Sequence, residues 1–342
     1  MEAALVREFG EIDRIRVEDV PSPRAGAGEA VVALRAAALN HLDVWVRKGR
    51  GTLKDGCLIL GSDGAGVVVE TGAGVTNVKP GDEVVVVAGL SCGGCEACLR
   101  GQQSECATFS IMGMSRHGTF AERVALPAVN LLPKPRGLTF EESSALGVAA
   151  VTAWRMLMTR GSLRAGETVV VHGIGGGVAL AALQFARLAG ALVLVTSSSD
   201  DKLARARKLG AHHAVNYRRE DVVARVRELT GGRGADLVID SVGAATWPLD
   251  IGLVRKGGRV VLCGVTTGAT APTDLRALYW NQVSLHGSTF GSHEDFRQML
   301  RAVEANGVKP VIDSVHPLSA VREATARMER GEQFGKIVLK IE

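Results

Sequence analysis

The pattern of hydrophobic and polar positions along this chain changes near residue 150. Before that point, short apolar segments are separated by glycine-containing turns, for example EAVVAL, GAGVVVETG and GTFAERVALP. This pattern predicts many short strands and an all-β, barrel-like domain. Pro80-Gly81-Asp82 marks a turn directly before the apolar segment Glu83 to Val87, which we expect to be one of these strands.

From about residue 151, apolar strands alternate with amphipathic helices. The predicted strands are TVVV, ALVLVTS, HHAVNY, ADLVIDSVG and GRVVLCG, and the predicted helices between them are GVALAALQFARLAG, SDDKLARARKLG and REDVVARVRELTGG. Such alternation indicates a doubly wound α/β domain with a parallel sheet covered on both faces. Mixed elements return at about residue 287 and close with GKIVLKI. We therefore expect one domain from residues 1–150 and 287–342, and a second from 151–286.

Length and charge narrow the possible functions. A chain of 342 residues is long enough for two domains, each with its own core. The 40 basic and 36 acidic residues give a net charge of +4 with no basic block, so binding to nucleic acid has no support. The start, MEAALVREFG, does not have the layout of a signal peptide, and no apolar run approaches membrane-spanning length. We expect a cytoplasmic protein with a small-molecule substrate and no membrane partner.

Four of the six cysteines fall in SCGGCEACLRGQQSEC, residues 91–106. The spacing C-x2-C-x2-C-x7-C suits one tetrahedral Zn2+, and four protein ligands would leave no position for a substrate. An iron–sulfur cluster is the main competitor, although the bacterial ferredoxin spacing differs in its fourth cysteine. Disulfides or unligated thiols are the remaining alternatives. The predicted ligands of a structural zinc are Cys92, Cys95, Cys98 and Cys106.

A glycine-rich turn lies between a predicted strand and a predicted helix in VVVHGIGGGVALAALQFARLAGA. Gly173, Gly176 and Gly177 would let the backbone approach a pyrophosphate held at the start of the helix, and the small Ala179 completes the spacing G-x-x-G-x-x-A. The spacing departs from G-x-G-x-x-G, but the strand before and the helix after are the context that the motif requires. We expect a dinucleotide cofactor here.

The residues near the next strand end bear on the choice of cofactor. NAD-binding folds usually carry an acid about 20 residues after the last glycine, where this chain has TSSSDDK. Ser197, Ser198 and Lys202 suit a 2′-phosphate, so we favour NADP(H) while NAD(H) stays open. Asp200 or Asp201 is expected only to cap the following helix.

The whole chain resembles the medium-chain dehydrogenase/reductase superfamily, which includes zinc-containing alcohol dehydrogenases and quinone oxidoreductases. Besides the cysteine run and the glycine loop, the resemblance is carried by GSDGAGVVVETGAGV, VKPGDEV, GTFAERVALP, AAVTAWRML, KLARARKLGA and GKIVLKI. It implies a GroES-like catalytic domain, split around a Rossmann domain, in a homodimer or homotetramer. VSLHGSTF, near residues 283–290, is a candidate edge strand for pairing between subunits.

The resemblance also locates the segments that hold a catalytic zinc in alcohol dehydrogenases. The family has cysteine, histidine and glutamate where this chain has Asn40, Ser62 and Asp63, and a further ligand would lie near Val148. Three good ligands and an open position are needed for a catalytic zinc. The sequence therefore predicts that this metal is absent.

The zinc-free quinone oxidoreductases share the pattern N-x-x-D-x-x-x-R-x-G, which is met here by Asn40, Asp43, Arg47 and Gly49. Their cofactor is NADPH, and Lys202 and Tyr217 fall where members of this branch bind its 2′-phosphate. They usually lack the cysteine lobe that this chain keeps, so the sequence is a hybrid of the two branches. The resemblance adds Val242, Gly264 and Phe290 to the expected cofactor site.

These observations predict hydride transfer between NADP(H) and a quinone, enone or other activated carbonyl, without a catalytic metal. Asn40 would stabilise the developing oxyanion, Thr152 would position the nicotinamide, and Ser62 or a water would supply the proton. His41 is a weaker candidate for a proton relay. Two alternatives stay open: an alcohol dehydrogenase with zinc rebuilt on His41, Asp43 and Asp63, and a nucleotide-binding sensor or structural protein without turnover.

Overall fold

The computed structural model describes residues 1–341, in which strands and helices follow the change of pattern seen in the sequence. The strands are β1 (Glu2–Val6), β2 (Arg16–Asp19), β3 (Glu29–Ala38), β4 (Leu58–Ile59), β5 (Asp63–Thr71), β6 (Glu83–Val86), β7 (Gly89–Leu90), β8 (Ser110–Ile111), β9 (Arg123–Pro127), β10 (Leu131–Pro133), β11 (Thr168–Val171), β12 (Leu192–Ser197), β13 (His213–Asn216), β14 (Ala235–Asp240), β15 (Val254–Leu262), β16 (Ser284–Gly287), β17 (Ile312–Pro317) and β18 (Lys336–Lys340). The α-helices are α1 (His41–Trp45), α2 (Glu96–Leu99), α3 (Phe140–Ser144), α4 (Val148–Trp154), α5 (Gly177–Leu188), α6 (Asp200–Lys208), α7 (Val222–Leu229), α8 (Trp247–Leu253), α9 (Leu275–Trp280), α10 (His293–Asn306) and α11 (Val321–Glu329).

The chain divides into two units, 1–151 with 291–342, and 152–290. The boundaries expected from the sequence lie within four residues of these. Both fall next to the segments where the apolar pattern changes. The fold class expected from the sequence, a GroES-like β domain with a doubly wound Rossmann domain, is confirmed.

The first unit is built mainly on antiparallel pairing, with β17 and β18 paired in parallel. Its largest sheet has the strand order β10-β6-β5-β3-β18-β17, with β9 also paired to β3, and a second sheet has the order β2-β1-β4. The long strand β3 pairs with β5 along one edge, while its end pairs with β18, which arrives from the far end of the sequence. Ala38 therefore faces both Asp63 and Val338 in register, which brings three distant segments together at one strand end.

The second unit is a six-stranded parallel sheet in the order β13-β12-β11-β14-β15-β16. Its central strands are buried on both faces, and Val170, Leu194, Val238 and Val260 are at most 1% exposed. Helices follow the strands as the sequence pattern predicts, because each apolar strand needs cover on both faces.

β16 is an edge strand of this sheet, as expected for VSLHGSTF. The short helix α9 precedes it along the chain and leaves three large apolar side chains, Leu275, Tyr279 and Trp280, between 66% and 69% exposed. Exposed apolar side chains grouped in this way mark candidate contact surfaces.

Arg47 is fully buried in the first unit, in the π-helical turn Val46–Arg50 that follows α1. Its guanidinium donates to Gly10 O at 2.8 Å and to Glu329 Oε1 in α11 at 2.6 Å. The arginine of the N-x-x-D-x-x-x-R-x-G pattern thus ties the start of the chain to a helix near its end. Its contacts in this unit are structural.

Across residues 1–341, none of the helices combines the length and the apolar character that crossing a bilayer requires.

Candidate active site and metal centre

A buried lysine lies at the centre of a polar network where β3, β5 and β18 meet. Lys336 begins β18 and is only 5% exposed. Its Nζ donates to Asn40 Oδ1 at 2.6 Å, to the Leu39 carbonyl oxygen at 2.6 Å and to Asp63 Oδ2 at 2.9 Å. A buried ammonium needs such partners, because an unpaired charge in the interior is strongly destabilising.

Asp63 is held at both carboxylate oxygens. Besides Lys336 at Oδ2, its Oδ1 accepts the backbone N–H of Val148 at 2.7 Å. A Cβ on Gly147 would lie 2.1 Å from Oδ1, so only glycine lets the chain approach this closely. Thr119 adds a hydrogen bond from its hydroxyl to the Asp63 carbonyl at 2.7 Å. The carboxylate is therefore committed to neighbours within the first unit.

Asp43 is a second buried acid next to this network. Its Oδ2 accepts the backbone N–H of Asn40 at 2.7 Å, while Oδ1 has no partner. Burial raises the pKa of Asp43 to about 7, with the nearby Asp63 charge adding to the effect. A proton on Asp43 leaves the cluster close to neutral, with one ammonium opposite one carboxylate. Burial, with Lys336 adding to it, lowers the pKa of His41, which favours a neutral imidazole.

The other two residues expected in catalysis lie in different environments. Ser62 is 1% exposed and its Oγ donates to the Met112 carbonyl at 2.8 Å, so its proton already has an acceptor. Thr152 is 6% exposed in α4, at the first position of the second unit.

The four cysteines converge as the sequence predicts. Their Sγ atoms all lie within 4.8 Å of one another, with separations of 3.5 Å for Cys95–Cys98, 3.6 Å for Cys92–Cys106 and 3.9 Å for Cys92–Cys98. Ligands about 2.3 Å from a tetrahedral zinc stand about 3.8 Å apart, whereas disulfide sulfurs are about 2.05 Å apart.

The thiols therefore fit a single ion and are free of disulfides. A cluster of several irons would hold its cysteines farther apart. Among residues 1–341, this is the one group of three or more His, Cys, Asp or Glu side chains that converges in a way suited to a metal.

The glycine loop has the backbone that a pyrophosphate cradle requires. Gly173 and Gly175 have φ values of 68° and 120°, which favour glycine, and α5 begins at Gly177. Gly176 is the N-cap of α5 and has no side chain to occupy the helix start, where the free N–H groups bind anions. A Cβ on Gly175 would lie 2.9 Å from Cδ and 3.3 Å from Nζ of Lys202, so this lysine packs over the loop.

The residues expected at the 2′-position gather at the ends of β12 and β13. Ser197 closes β12, and the Tyr217 N–H donates to its carbonyl at 3.2 Å. Ser198 follows directly, before α6. The expectation that Asp200 or Asp201 caps α6 is wrong, because the cap is Ser199, whose hydroxyl accepts the Lys202 N–H at 3.3 Å. A serine one residue earlier meets the extended backbone that an N-cap requires.

The three residues added by the resemblance lie on loops of the same unit. The Val242 N–H donates to Asp240 Oδ1 at 2.6 Å, and a Cβ on Gly173 would lie 3.1 Å from the Val242 side chain. A Cβ on Gly264 would lie 2.4 Å from the Ser241 carbonyl, which explains glycine there. Phe290 is buried, with a φ of 55°.

Three features of these sites were missed from the sequence. Lys336 stood in a segment interpreted only as a closing strand, which carries a lysine at each end, Lys336 buried and Lys340 exposed. Gly175 was not distinguished from its neighbours. His172 precedes the loop, and its ring bridges Thr196 Oγ1 at 3.1 Å and Asp250 Oδ1 at 3.0 Å.

Comparison with known proteins gives two family matches. Residues 26–136 match the alcohol dehydrogenase GroES-like domain, and residues 177–305 match the zinc-binding dehydrogenase domain. A zinc-type alcohol dehydrogenase-like protein of Schizosaccharomyces pombe is 37% identical over 98% of this chain and 97% of its own length. A crotonyl-CoA reductase of Streptomyces avermitilis is 30% identical over 94% of this chain and 81% of its own.

A crystal structure described as an NAD-dependent alcohol dehydrogenase is 44% identical, covers both chains completely and superposes with a TM-score of 0.95. These matches confirm the family expected from the motifs. They support a nicotinamide dinucleotide as the cofactor and zinc as the metal of the cysteine cluster. The chain belongs to the medium-chain dehydrogenase/reductase superfamily, and it is an oxidoreductase of that family.

Proposed function

We propose that this protein is an NADP(H)-dependent reductase of quinones, enones or other activated carbonyls, and that it works without a catalytic metal. The observation that carries the proposal is the Lys336 ammonium bound to Asn40 Oδ1 and Asp63 Oδ2. In the family pattern these two positions belong to the catalytic zinc site. A cation already fixed between them supports a site that needs no metal.

The remaining positions of the family's metal site point the same way. Ser62 replaces a histidine and donates to a backbone carbonyl, and Val148 supplies only a backbone N–H, to Asp63. Rebuilding a zinc site from His41, Asp43 and Asp63 would place a divalent cation next to the Lys336 ammonium, at a carboxylate whose two oxygens already have partners. The rebuilt-zinc alternative is therefore disfavoured.

The chain's own residues suit the charge that develops on a carbonyl oxygen. The bound nicotinamide would supply the hydride. Asn40 offers an amide Nδ2–H to the oxygen that becomes negative, and hydrogen-bond donors fixed in advance are among the most effective catalytic devices. The carboxyl group of Asp43 accepts the Asn40 backbone N–H and therefore lies next to this amide. Its pKa of about 7 leaves it partly protonated near neutral pH, so it can take up or release a proton beside Asn40. The Ser62 hydroxyl already donates its hydrogen bond to the Met112 carbonyl, so a water molecule is the better proton source.

The crotonyl-CoA reductase among the relatives supports an unsaturated carbonyl as the substrate class. The S. pombe relative and the superposed structure are described as alcohol dehydrogenases, which supports a simple alcohol–carbonyl pair instead. The metal content and the substrate range separate these two chemistries.

The first prediction concerns turnover and metal content together. The purified protein should oxidise NADPH in the presence of small quinones or enones, with one product molecule per NADPH, while containing about one zinc per chain. Stopped-flow absorbance at the reduced-nicotinamide band and elemental analysis make the two measurements. Two zinc ions per chain with alcohol oxidation would support the rebuilt-zinc dehydrogenase. If the protein bound NADPH but oxidised it with none of the quinones and enones tested, the result would support the non-catalytic sensor.

The second prediction concerns cofactor choice. Lys202→Ala removes an ammonium that lies over the glycine loop and near the expected 2′-phosphate. The Kd for NADPH should rise roughly 10- to 100-fold, the effect of one charge-assisted hydrogen bond, while the Kd for NADH changes little. Fluorescence titration of both cofactors measures this. Lys208→Ala, at the exposed end of α6, is the matched control. Equal weakening of both cofactors would assign Lys202 to the shared pyrophosphate and refute the role in cofactor choice.

The third prediction concerns the cysteine cluster. Cys106→Ala removes one of four ligands, so zinc should be lost and the free energy of unfolding should fall by about 2–3 kcal/mol, or roughly 5–10 °C in Tm. The kcat of the protein that stays folded should remain near normal. Metal analysis, calorimetry and kinetics test this, with Cys57→Ala as the control outside the cluster. A selective loss of kcat in a folded, stable variant would contradict a structural role.

The fourth prediction concerns assembly. We propose that two copies pair through the edge strand β16, with the exposed side chains of α9 forming part of the contact. Tyr279→Glu would place a charge in that contact and should lower the mass measured by sedimentation from dimer or tetramer toward smaller species. Val69→Glu changes an exposed apolar side chain on β5 and should not. An unchanged mass for both variants would place the contact elsewhere.

A further inference from the structure

The Lys336 ammonium has used all of its hydrogen-bonding capacity inside the protein. It carries three N–H donors, and three acceptors surround it: the Leu39 carbonyl, Asn40 Oδ1 and Asp63 Oδ2. It therefore has no donor left for a substrate. Any part that it has in the reaction must pass through one of these three groups.

Asn40 is the partner through which it can act. A carboxamide can be turned so that either its oxygen or its NH2 group faces a given neighbour, and an ammonium, which can only donate, forms a hydrogen bond only with the oxygen. The contact between Nζ and Oδ1 at 2.6 Å therefore fixes which way the amide points. Nδ2 has only one weak internal contact, 3.4 Å from the Ala38 carbonyl, which can take one of its two hydrogens.

The support behind this contact is rigid. β18 pairs with β3 up to Ala38, and the Leu39 N–H continues the pairing to the Ile337 carbonyl at 2.9 Å. Asp63 holds the ammonium from the other side and is itself fixed by the Val148 N–H. A positive charge at the amide oxygen also draws electrons from the N–H bonds and makes Nδ2–H a stronger donor.

We propose that Lys336 is a positioning residue of the reaction, whose ammonium orients and polarises the Asn40 carboxamide so that Nδ2–H is presented to the developing oxyanion. This rests on the proposed function. The hydride, with its electron pair, forms the new C–H bond, and the electron pair of the substrate's π bond moves onto the carbonyl oxygen. A proton from solvent completes the reduction, while Lys336 neither gains nor loses one.

The test removes the ammonium without leaving a buried charge. Lys336→Met alone would strand Asp63, so Lys336→Met/Asp63→Asn removes both charges together, a change that folded proteins tolerate far better than loss of one partner. Asp63→Asn alone keeps the ammonium and reports what the carboxylate contributes. Lys340→Met, at the exposed end of the same strand, is the matched control. Calorimetry and the Kd for NADPH establish that each variant is folded and binds cofactor.

The kinetic readout is the single-turnover rate of NADPH oxidation with the enone that the wild type reduces fastest. Asn40→Ala should slow it about 100-fold or more, as loss of an oxyanion donor does. Lys336→Met/Asp63→Asn should slow it at least tenfold. The triple variant with Asn40→Ala should be no slower than Asn40→Ala alone, because the lysine acts through the asparagine. The proposal would be overturned if the rate reductions of Lys336→Met/Asp63→Asn and Asn40→Ala multiplied in the triple variant. It would also be overturned if the rate of the double variant stayed within twofold of the wild-type rate.

A readout independent of turnover separates this proposal from the proposed function. The side-chain amide NMR signals of Asn40, assigned by their loss in Asn40→Ala, should be two resolved lines in wild type and in Lys340→Met. In Lys336→Met/Asp63→Asn they should shift and exchange faster with solvent. Unchanged signals would refute the orienting role even if the enzyme is active. Changed signals in a protein that reduces no carbonyl would support the orienting contact while refuting the proposed reaction.

Discussion

The contact between the Lys336 ammonium and Asp63 is the constraint on which the catalytic unit's polar interior depends. A lysine 5% exposed at the start of a strand is stable only because three oxygens accept its protons. Asp63 in turn is fixed by a backbone N–H that reaches it only because residue 147 is glycine. The charge of Asp63 also affects the neighbouring Asp43. Burial raises the pKa of Asp43 to about 7, and the Asp63 charge adds to this effect.

The structural zinc site and the positions that hold the catalytic zinc in alcohol dehydrogenases lie in different segments of this chain. The cysteine cluster fits a closed tetrahedral ion, with all four sulfurs within 4.8 Å of one another and three of the separations between 3.5 and 3.9 Å, and a closed ion has no position for a substrate. The segments that carry the working metal in alcohol dehydrogenases hold an amide, a hydroxyl and a lysine-bound carboxylate here. Under the proposed function, the label "zinc-binding" would describe only the cysteine lobe, and the chemistry would belong to a nicotinamide cofactor and the Asn40 amide.

Local patterns predicted the fold well, because strand and helix periodicity and the spacing of the cysteines are properties of short segments. Lys336, the central residue that sequence reasoning missed, depends on long-range contacts. Lys336 and Asp63 are 273 positions apart, and nothing within GKIVLKI indicates that its lysine meets β5. Arg47 matched a pattern of one enzyme branch, but its partner is Glu329, 282 positions away. The N-cap of α6 was expected at Asp200 or Asp201, one or two residues too late. The extended backbone at Ser199 makes that residue the cap, and a run of serines and acids does not show where the extended backbone ends.

The ion pair between Lys336 and Asp63 has a further consequence for substitutions at the positions around it. If the protein works without a catalytic metal as proposed, cysteine at position 40 and histidine at position 62 would place metal ligands beside a fixed ammonium, and cations about 4 Å apart near a protein surface repel by roughly 4 kcal/mol per pair of unit charges. Replacing Lys336 would in turn leave the buried Asp63 carboxylate without its ammonium partner. Substitutions at positions 40, 62, 63 and 336 must therefore be considered together, because the lysine lies 273 positions from its carboxylate partner and in no metal-ligand motif.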